Sequence, residues 1–187
     1  MIENKEQLRQ YLDSQDYDKY YQDIEILDFI GYSKSYESWK TINELGIDWI
    51  DKTVCDLGCF HAYFGIQVMK KGAKKVIGLD ATPPVIPTAK LITEFSGVDM
   101  EFLEWVGGED TPECDIALCL NMLHHCENQD LTLSKMNCDY AVFEINPDQK
   151  ETVEKYFNII KQSSSHRSNS ADSAIRIILY TEKKGNN

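Results

Sequence analysis

Short apolar runs alternate with helical segments from residue 53 onward, and this alternation constrains the fold most strongly. Runs at 53–58, 75–80, 100–106, 115–121 and 140–145 predict five strands, with helices beginning near Phe64 and Pro87. Strands that are apolar nearly throughout are typical of a parallel sheet covered on both faces. A last pair, 158–162 and 174–181, is joined by a polar turn over 163–172 and predicts an antiparallel hairpin at one edge. We therefore expect a three-layer α/β sandwich built on a seven-stranded, mostly parallel sheet.

The first 34 residues differ from the rest and predict a helical N-terminal extension to a single domain over 35–187. The chain has 187 residues, which favours one domain. Leu8, Tyr11 and Leu12 allow one short amphipathic helix, and Ser35 marks the start of the next. Disordered segments are poor in aromatic residues, so the extension's five tyrosines must pack on something. The extension is either a lid over an acceptor pocket or a helical layer that covers the sheet.

Charge and composition exclude some classes of function. The sequence has 19 Lys and Arg against 31 Asp and Glu, a net charge of −12, which disfavours a general nucleic-acid-binding surface. We find no apolar run long enough to span a membrane and no signal-peptide pattern at the start. The six cysteines form no CxxC pair and lie mostly in or beside apolar runs. They are expected to be reduced core thiols of a cytoplasmic protein.

A glycine turn after the first strand and an acid after the second form the main candidate site. Gly58 ends the first strand and permits a close ligand approach, although an ordinary turn also favours glycine. Asp80 ends the next strand, 22 residues later. An acid at about this spacing is placed to hold ribose hydroxyls, the alternative being a cap or turn acid. Together the two residues favour a nucleoside ligand at the carboxyl end of the sheet.

Three motifs carry a resemblance to a known family. Asp56-Leu57-Gly58-Cys59, the stretch at 72–80 and the stretch at 114–125 together resemble class I S-adenosylmethionine-dependent methyltransferases, which have a Rossmann-like fold. The resemblance covers roughly residues 35–184. It implies S-adenosylmethionine as cofactor and a binding set of Asp56, Gly58, Cys59, Phe60, Asp80, Ala81 and Asn121. Phe60 and Ala62 stand where the family commonly has glycines.

Within that resemblance, each residue has an expected role. Asp56 is expected at the amino end of the methionine moiety, Asp80 at the ribose, Ala81 near the adenine and Asn121 beside the ligand. Four residues after the third strand compete to read the adenine edge: Glu104, Gly107, Gly108 and Glu109.

Two histidines after the fourth strand are the candidate general bases. His124 and His125 face the expected acceptor side, and histidine is the usual base at neutral pH. His125 is slightly favoured, and a capping or packing role is the alternative for either. Adjacent histidines on a helix diverge by about 100°, so we expect no metal site.

The expected function is therefore methyl transfer from S-adenosylmethionine to an unidentified acceptor, with a small molecule favoured by the acidity of the chain. The alternatives are an RNA (tRNA-type) methyltransferase and an inactive cofactor-binding scaffold. Glu144, at the end of the fifth strand, is a further candidate for orienting the acceptor.

Overall fold

A seven-stranded sheet organises the molecule. The computed structural model describes residues 2–169 and 175–185. The sheet order is β3-β2-β1-β4-β5-β7-β6; β1 to β5 run parallel, and β7 is antiparallel to both β5 and β6. The strands are β1 Thr53–Leu57, β2 Lys75–Asp80, β3 Glu101–Glu104, β4 Cys114–Leu120, β5 Cys138–Ile145, β6 Phe157–Ser164 and β7 Ile177–Lys183. The predicted α/β fold class, with its antiparallel edge pair, is confirmed.

Six α-helices are found in the described part of the chain, and they cover the sheet. They are α1 Lys5–Asp13, α2 Ser35–Glu44, α3 Tyr63–Lys70, α4 Val85–Phe95, α5 Gln129–Lys135 and α6 Lys150–Tyr156. Helix α4 begins at Val85 rather than at Pro87. Pro87 therefore lies in the first turn, where the missing N–H of a proline costs no intrahelical hydrogen bond. None of these helices is long and apolar enough to cross a membrane, within the described residues.

The polar turn before the last strand departs from the prediction. Strand β6 runs to Ser164, and a 3₁₀ turn, His166–Asn169, follows. The end of the predicted turn, 170–172, and the predicted strand start at Ala174 lie outside the described residues.

The N-terminal extension packs against the domain. Leu8, Leu12, Ile24 and Leu27 are buried with Ile66 of α3 and Ile92 of α4. The apolar face of α1 therefore finds its partner on the helical layer, which explains why this short helix is stable.

Strand order reverses between β1 and β4, and this fixes where a site can form. The chain winds from β1 through β2 to β3 on one side and returns to β4 on the other. The loops that follow β1 and β4 therefore leave the sheet in opposite directions and open a crevice between them.

Candidate functional site

A cavity of about 560 Å³ lies at this crevice. Its walls come from the carboxyl ends of β1, β2, β3 and β4, together with the N-terminal extension and the turn after β6. It is lined by Tyr21, Gln22, Ser33, Ser35, Gly58, Phe60, Phe64, Asp80, Ala81, Thr82, Trp105, Val106, Gly107, Leu120, Asn121, Met122, His125, Cys126, Glu127 and Arg167.

Gly58 forms the floor of the cavity in a conformation that suits glycine. Its φ is +68°, and a Cβ there would stand 2.7 Å from Cγ of Met122. The backbone N–H groups of Gly58 and Cys59 both donate to the carbonyl of Leu79, at 2.8 and 3.0 Å. The turn is thereby tied to β2, and the missing side chain leaves room for Met122 to pack against the turn.

Asp80 reaches back to the same turn. Its carboxylate accepts the N–H of Phe60 at 3.0 Å and the N–H of Thr82 at 2.9 Å, one on each oxygen. The side chain lines the cavity and is 7% exposed. Because each carboxylate oxygen has two acceptor positions, a position on each oxygen is left for a ligand hydroxyl.

The extension closes the cavity over Phe60. The rings of Tyr17 and Tyr21 meet the Phe60 ring edge-on, with centroids 5.9 and 5.6 Å away. Gln22 Oε1 accepts the backbone N–H of His61 at 3.1 Å and that of Tyr63 at 3.4 Å. These contacts connect the extension directly to the loop after Gly58.

The segment after β3 forms an apolar slot. Trp105, Val106 and Gly107 line the cavity, whereas Glu104, Gly108 and Glu109 do not. The indole N–H of Trp105 donates to the Glu109 carbonyl at 3.2 Å, which folds the loop back on itself. A Cβ on Gly107 would come within 2.8 Å of Cys126 Sγ. Of the four competing residues, the structure therefore brings only Gly107 to the cavity.

Three of the residues expected at the site lie outside its lining. Asp56 is 2% exposed, and its carboxylate accepts the N–H of Gly65 at 3.2 Å inside the protein. Cys59 is 1% exposed and packs in an apolar cluster with Ile86 and Phe102, with its Sγ close to Gly78. His124 is exposed but turned away from the cavity. Burial raises the pKa of Asp56 to about 7, an effect that the charge of Asp80 adds to and the Gly65 hydrogen bond opposes.

His125 is the histidine that faces the cavity. Both histidines sit on a 3₁₀ turn, Leu123–His125, with ring centroids 4.0 Å apart. Partial burial, together with the positive charges of His125, Arg176 and Arg167, lowers the pKa of His124 to about 4. We find no group of three or more His, Cys, Asp or Glu side chains placed to hold a metal ion in the part of the chain described.

Asn121 is held in a hydrogen-bond network at one wall of the cavity. It adopts φ +54°, and its Oδ1 accepts Arg176 Nε at 2.9 Å. Its Nδ2 donates to Tyr21 Oη at 2.7 Å. Arg176 also donates to Asn146. The amide of Asn121 therefore has a defined orientation.

Glu144 is fully buried and does not line the cavity. Its carboxylate accepts the hydroxyls of Ser38, at 2.8 and 3.0 Å, and Ser165, at 2.6 Å. Arg167 Nη1 lies 3.8 Å from it. Glu144 thus positions Arg167, which does line the cavity, and is not placed to contact an acceptor itself.

Sequence reasoning missed several lining residues: Gln22, Ser33, Ser35, Thr82, Trp105, Val106, Met122 and Arg167. The tyrosine-rich extension was a signal for Tyr21. Arg167 lies in a serine-rich stretch that carries no comparable signal.

No family model matches the chain. A similar curated protein is the ribosomal protein L11 methyltransferase of Glaesserella parasuis serovar 5 (strain SH0165), 33% identical over 125 residues, which are 63% of this chain and 42% of that relative. The chain spans less than half the length of the curated relatives it matches.

Two solved structures share the architecture. A putative S-adenosylmethionine dependent methyltransferase from Listeria monocytogenes superposes with a TM-score of 0.67 at 16% identity, covering 81% of this chain and 100% of that one. Magnesium protoporphyrin IX methyltransferase (ChlM) from Synechocystis PCC 6803 with bound SAH gives a TM-score of 0.64 at 16% identity, covering 81% and 82%.

Proposed function

We propose that this chain, which shares its fold with solved S-adenosylmethionine-dependent methyltransferases, binds S-adenosylmethionine in the cavity described above and catalyses methyl transfer. The observation that carries the proposal is the meeting of Gly58 and Asp80 at one cavity, at the point where the strand order reverses.

The residues present fit this cofactor. The backbone turn at Gly58, which lines the cavity, is placed to hold the methionine moiety. The carboxylate of Asp80 retains acceptor positions for ribose hydroxyls. The slot formed by Trp105, Val106 and Gly107, with Ala81 beside it, offers the flat apolar walls that an adenine ring needs.

Bound there, the cofactor would supply a methyl group already activated on a sulfonium. The protein's contribution is then mainly alignment of the acceptor with that methyl. Asn121 and Tyr21 form the wall on the acceptor side. His125, at the exposed mouth of the cavity, is the residue we propose as general base for an acceptor that must lose a proton.

We propose a small molecule as the acceptor. Support comes from the extension, which lines the cavity with Tyr21 and Gln22. The net charge of −12 further disfavours an RNA acceptor. A protein side chain is the second candidate, because the curated relative is named for methylation of a ribosomal protein.

The extension, residues 1–34, is proposed to be a lid that excludes water and shapes the acceptor side. A cytoplasmic location is proposed as well. It is supported by the six free cysteines, five of them buried, which suit a reducing compartment.

The test is calorimetric titration of the purified protein with S-adenosylhomocysteine, followed by an assay of S-adenosylmethionine turnover. The turnover assay uses panels of small molecules, ribosomal proteins and transfer RNA. We expect stoichiometric binding and product formation with a small molecule. A folded protein that binds neither nucleoside would refute the proposal, and binding without turnover on any panel would point to a non-catalytic scaffold.

A further inference from the structure

The hydroxyl group of Tyr21 has a proton with no acceptor in the described structure. Its oxygen accepts Asn121 Nδ2 at 2.7 Å and Arg167 Nη2 at 3.4 Å. An amide NH₂ and a guanidinium can only donate, so both lone pairs of the phenol oxygen are occupied as acceptors. The orientation of Asn121 is not arbitrary, because its Oδ1 is taken by Arg176. Tyr21 must therefore direct its own O–H elsewhere, and it lines the cavity.

A pair of serines supplies a second hydroxyl proton at the same cavity. Ser33 Oγ and Ser35 Oγ lie 2.9 Å apart, and each residue is 2% exposed. Only one proton can lie between the two oxygens. The other has no acceptor among the residues that the structure describes, and both serines line the cavity.

The side-chain carbonyls of this wall are already used. Asn121 Oδ1 accepts Arg176 Nε, and Gln22 Oε1 accepts two backbone N–H groups. Glu127 lines the cavity but is exposed at its mouth. This wall therefore presents hydroxyl donors to a ligand and has its amide acceptors occupied, and the Arg167 guanidinium, which is paired with Glu144 at 3.8 Å, lies 5.7 Å from the Tyr21 ring. A ligand group with lone pairs and negative charge matches it, and an ammonium group does not.

We propose that Tyr21, together with the Ser33–Ser35 pair, binds a carboxylate of the methyl acceptor, so that the acceptor is a small carboxylic acid. This inference rests on the proposed function, since it assumes that S-adenosylmethionine occupies the part of the cavity beside Gly58 and Asp80. Tyr21 would contact the acceptor directly and fix its orientation.

The test uses three probes with the same ring and different polar groups: benzoate, benzamide and benzylamine. Each is titrated by ligand-observed NMR into the full-length protein saturated with S-adenosylhomocysteine, and inorganic phosphate is the fourth probe. We expect benzoate to bind more tightly than the other three. Tyr21→Phe is expected to weaken benzoate about tenfold or more, as for loss of a hydrogen bond to a charged group. The control is Tyr20→Phe, because Tyr20 Oη donates to the exposed Asp13 outside the cavity.

Tyr21→Phe also removes the acceptor of the Asn121 and Arg167 hydrogen bonds. A second variant therefore separates donation of the Tyr21 proton to the ligand from support of these two side chains. Replacement of Tyr21 by 3-fluorotyrosine makes the hydroxyl a stronger donor and a weaker acceptor. Measured at about pH 6, it should tighten benzoate binding. Looser benzoate binding would show that Tyr21 only supports the wall and would overturn the proposal.

The remaining outcomes are also decisive. Preference for benzylamine or phosphate, or no binding of benzoate while S-adenosylhomocysteine binds, would overturn the carboxylate site and leave the proposed function standing. Absence of S-adenosylhomocysteine binding in the preliminary calorimetric titration would refute the proposed function, and the carboxylate site would fall with it.

Discussion

The Asp80 carboxylate accepts the backbone N–H of Phe60 at 3.0 Å, so the end of β2 holds the loop after β1 in place. The second oxygen accepts the N–H of Thr82 on the other side. Asp80 therefore shapes the cavity wall as well as facing it. A change at this position is expected to act on the ligand and on the loop together.

We predict that Asp80→Asn weakens S-adenosylhomocysteine binding roughly tenfold to a hundredfold. The variant loses charge-assisted hydrogen bonds to the ligand, worth about 1.5–3 kcal/mol each, and places an NH₂ against a backbone N–H. Calorimetry measures the affinity. The matched control is Asp115→Asn. Asp115 accepts the Thr53 N–H at 2.7 Å near the amino ends of β1 and β4, away from the cavity. Equal affinities for the two variants would remove Asp80 from the site.

Gly58→Ala tests the floor of the cavity against a glycine of similar conformation. Gly58 and Gly46 have φ values of +68° and +64°, but a Cβ at Gly46 meets nothing within 4 Å. Gly46→Ala should lose about 1–2 kcal/mol of unfolding free energy from left-handed strain, and Gly58→Ala should lose more because its Cβ also overlaps Met122. Only Gly58→Ala is expected to lose S-adenosylhomocysteine affinity, because its methyl group displaces Met122, which lines the cavity. Urea unfolding and calorimetry measure the two effects, and an unchanged affinity in Gly58→Ala would contradict the assignment.

The sequence predicts the cofactor half of the candidate site better than the acceptor half, for a physical reason. Gly58 and Asp80 end consecutive strands of a parallel sheet, and such ends must meet at one edge. Tyr21 and Asn121 are 100 residues apart and meet only through packing of the extension on the domain. No periodicity or spacing encodes that contact.

For two residues of the expected binding set, the direction of the side chain could not be predicted from the sequence. Asp56 and Cys59 are near the turn, but their side chains point into the interior, where Asp56 accepts the Gly65 N–H. A strand buried on both faces gives no polar alternation from which the exposed side can be identified.

Helix α5 was missed although Asn128 caps it by accepting the Leu131 N–H at 2.9 Å. Its seven residues are too few for a clear helical period.

The extension is predicted to have two separable functions. Leu8 is fully buried against α3 and α4, so Leu8→Ala should cost about 2–5 kcal/mol of unfolding free energy and leave S-adenosylhomocysteine affinity unchanged. Gln22 accepts two N–H groups of the loop after Gly58, so Gln22→Ala should lower that affinity several-fold. Thermal unfolding and calorimetry distinguish the two. Deletion of residues 1–34 would then lower stability and affinity together, and unchanged affinity in Gln22→Ala would show that the extension does not position the loop.

The last prediction concerns acid sensitivity and His61, whose Nε2 lies 3.1 Å from Tyr17 Oη. Burial lowers the pKa of His61 to about 3, an effect that Asp18 partly opposes. The unfolded chain, with a histidine pKa near 6.5, therefore binds more protons than the folded one between about pH 3 and 6.5. Stability from this residue is complete above about pH 6.5 and is lost as the pH falls. When the pH is lowered from about 7 to about 5, the unfolding free energy of the wild type falls partly because of His61. In the His61→Gln variant the fall should therefore be smaller by about 2 kcal/mol.

The measurement is urea unfolding of the wild type and His61→Gln at about pH 7 and pH 5. The quantity compared is the change in unfolding free energy between the two pH values, taken for each protein. The raw profile is not sufficient, because Asp56 contributes with the opposite sign. Its pKa is raised to about 7, so its contribution to stability falls as the pH rises from about 4 to 7. His166→Gln is the control, since His166 is exposed and pairs with Glu44. If His61→Gln and His166→Gln change the acid dependence equally, the buried His61 is not its source.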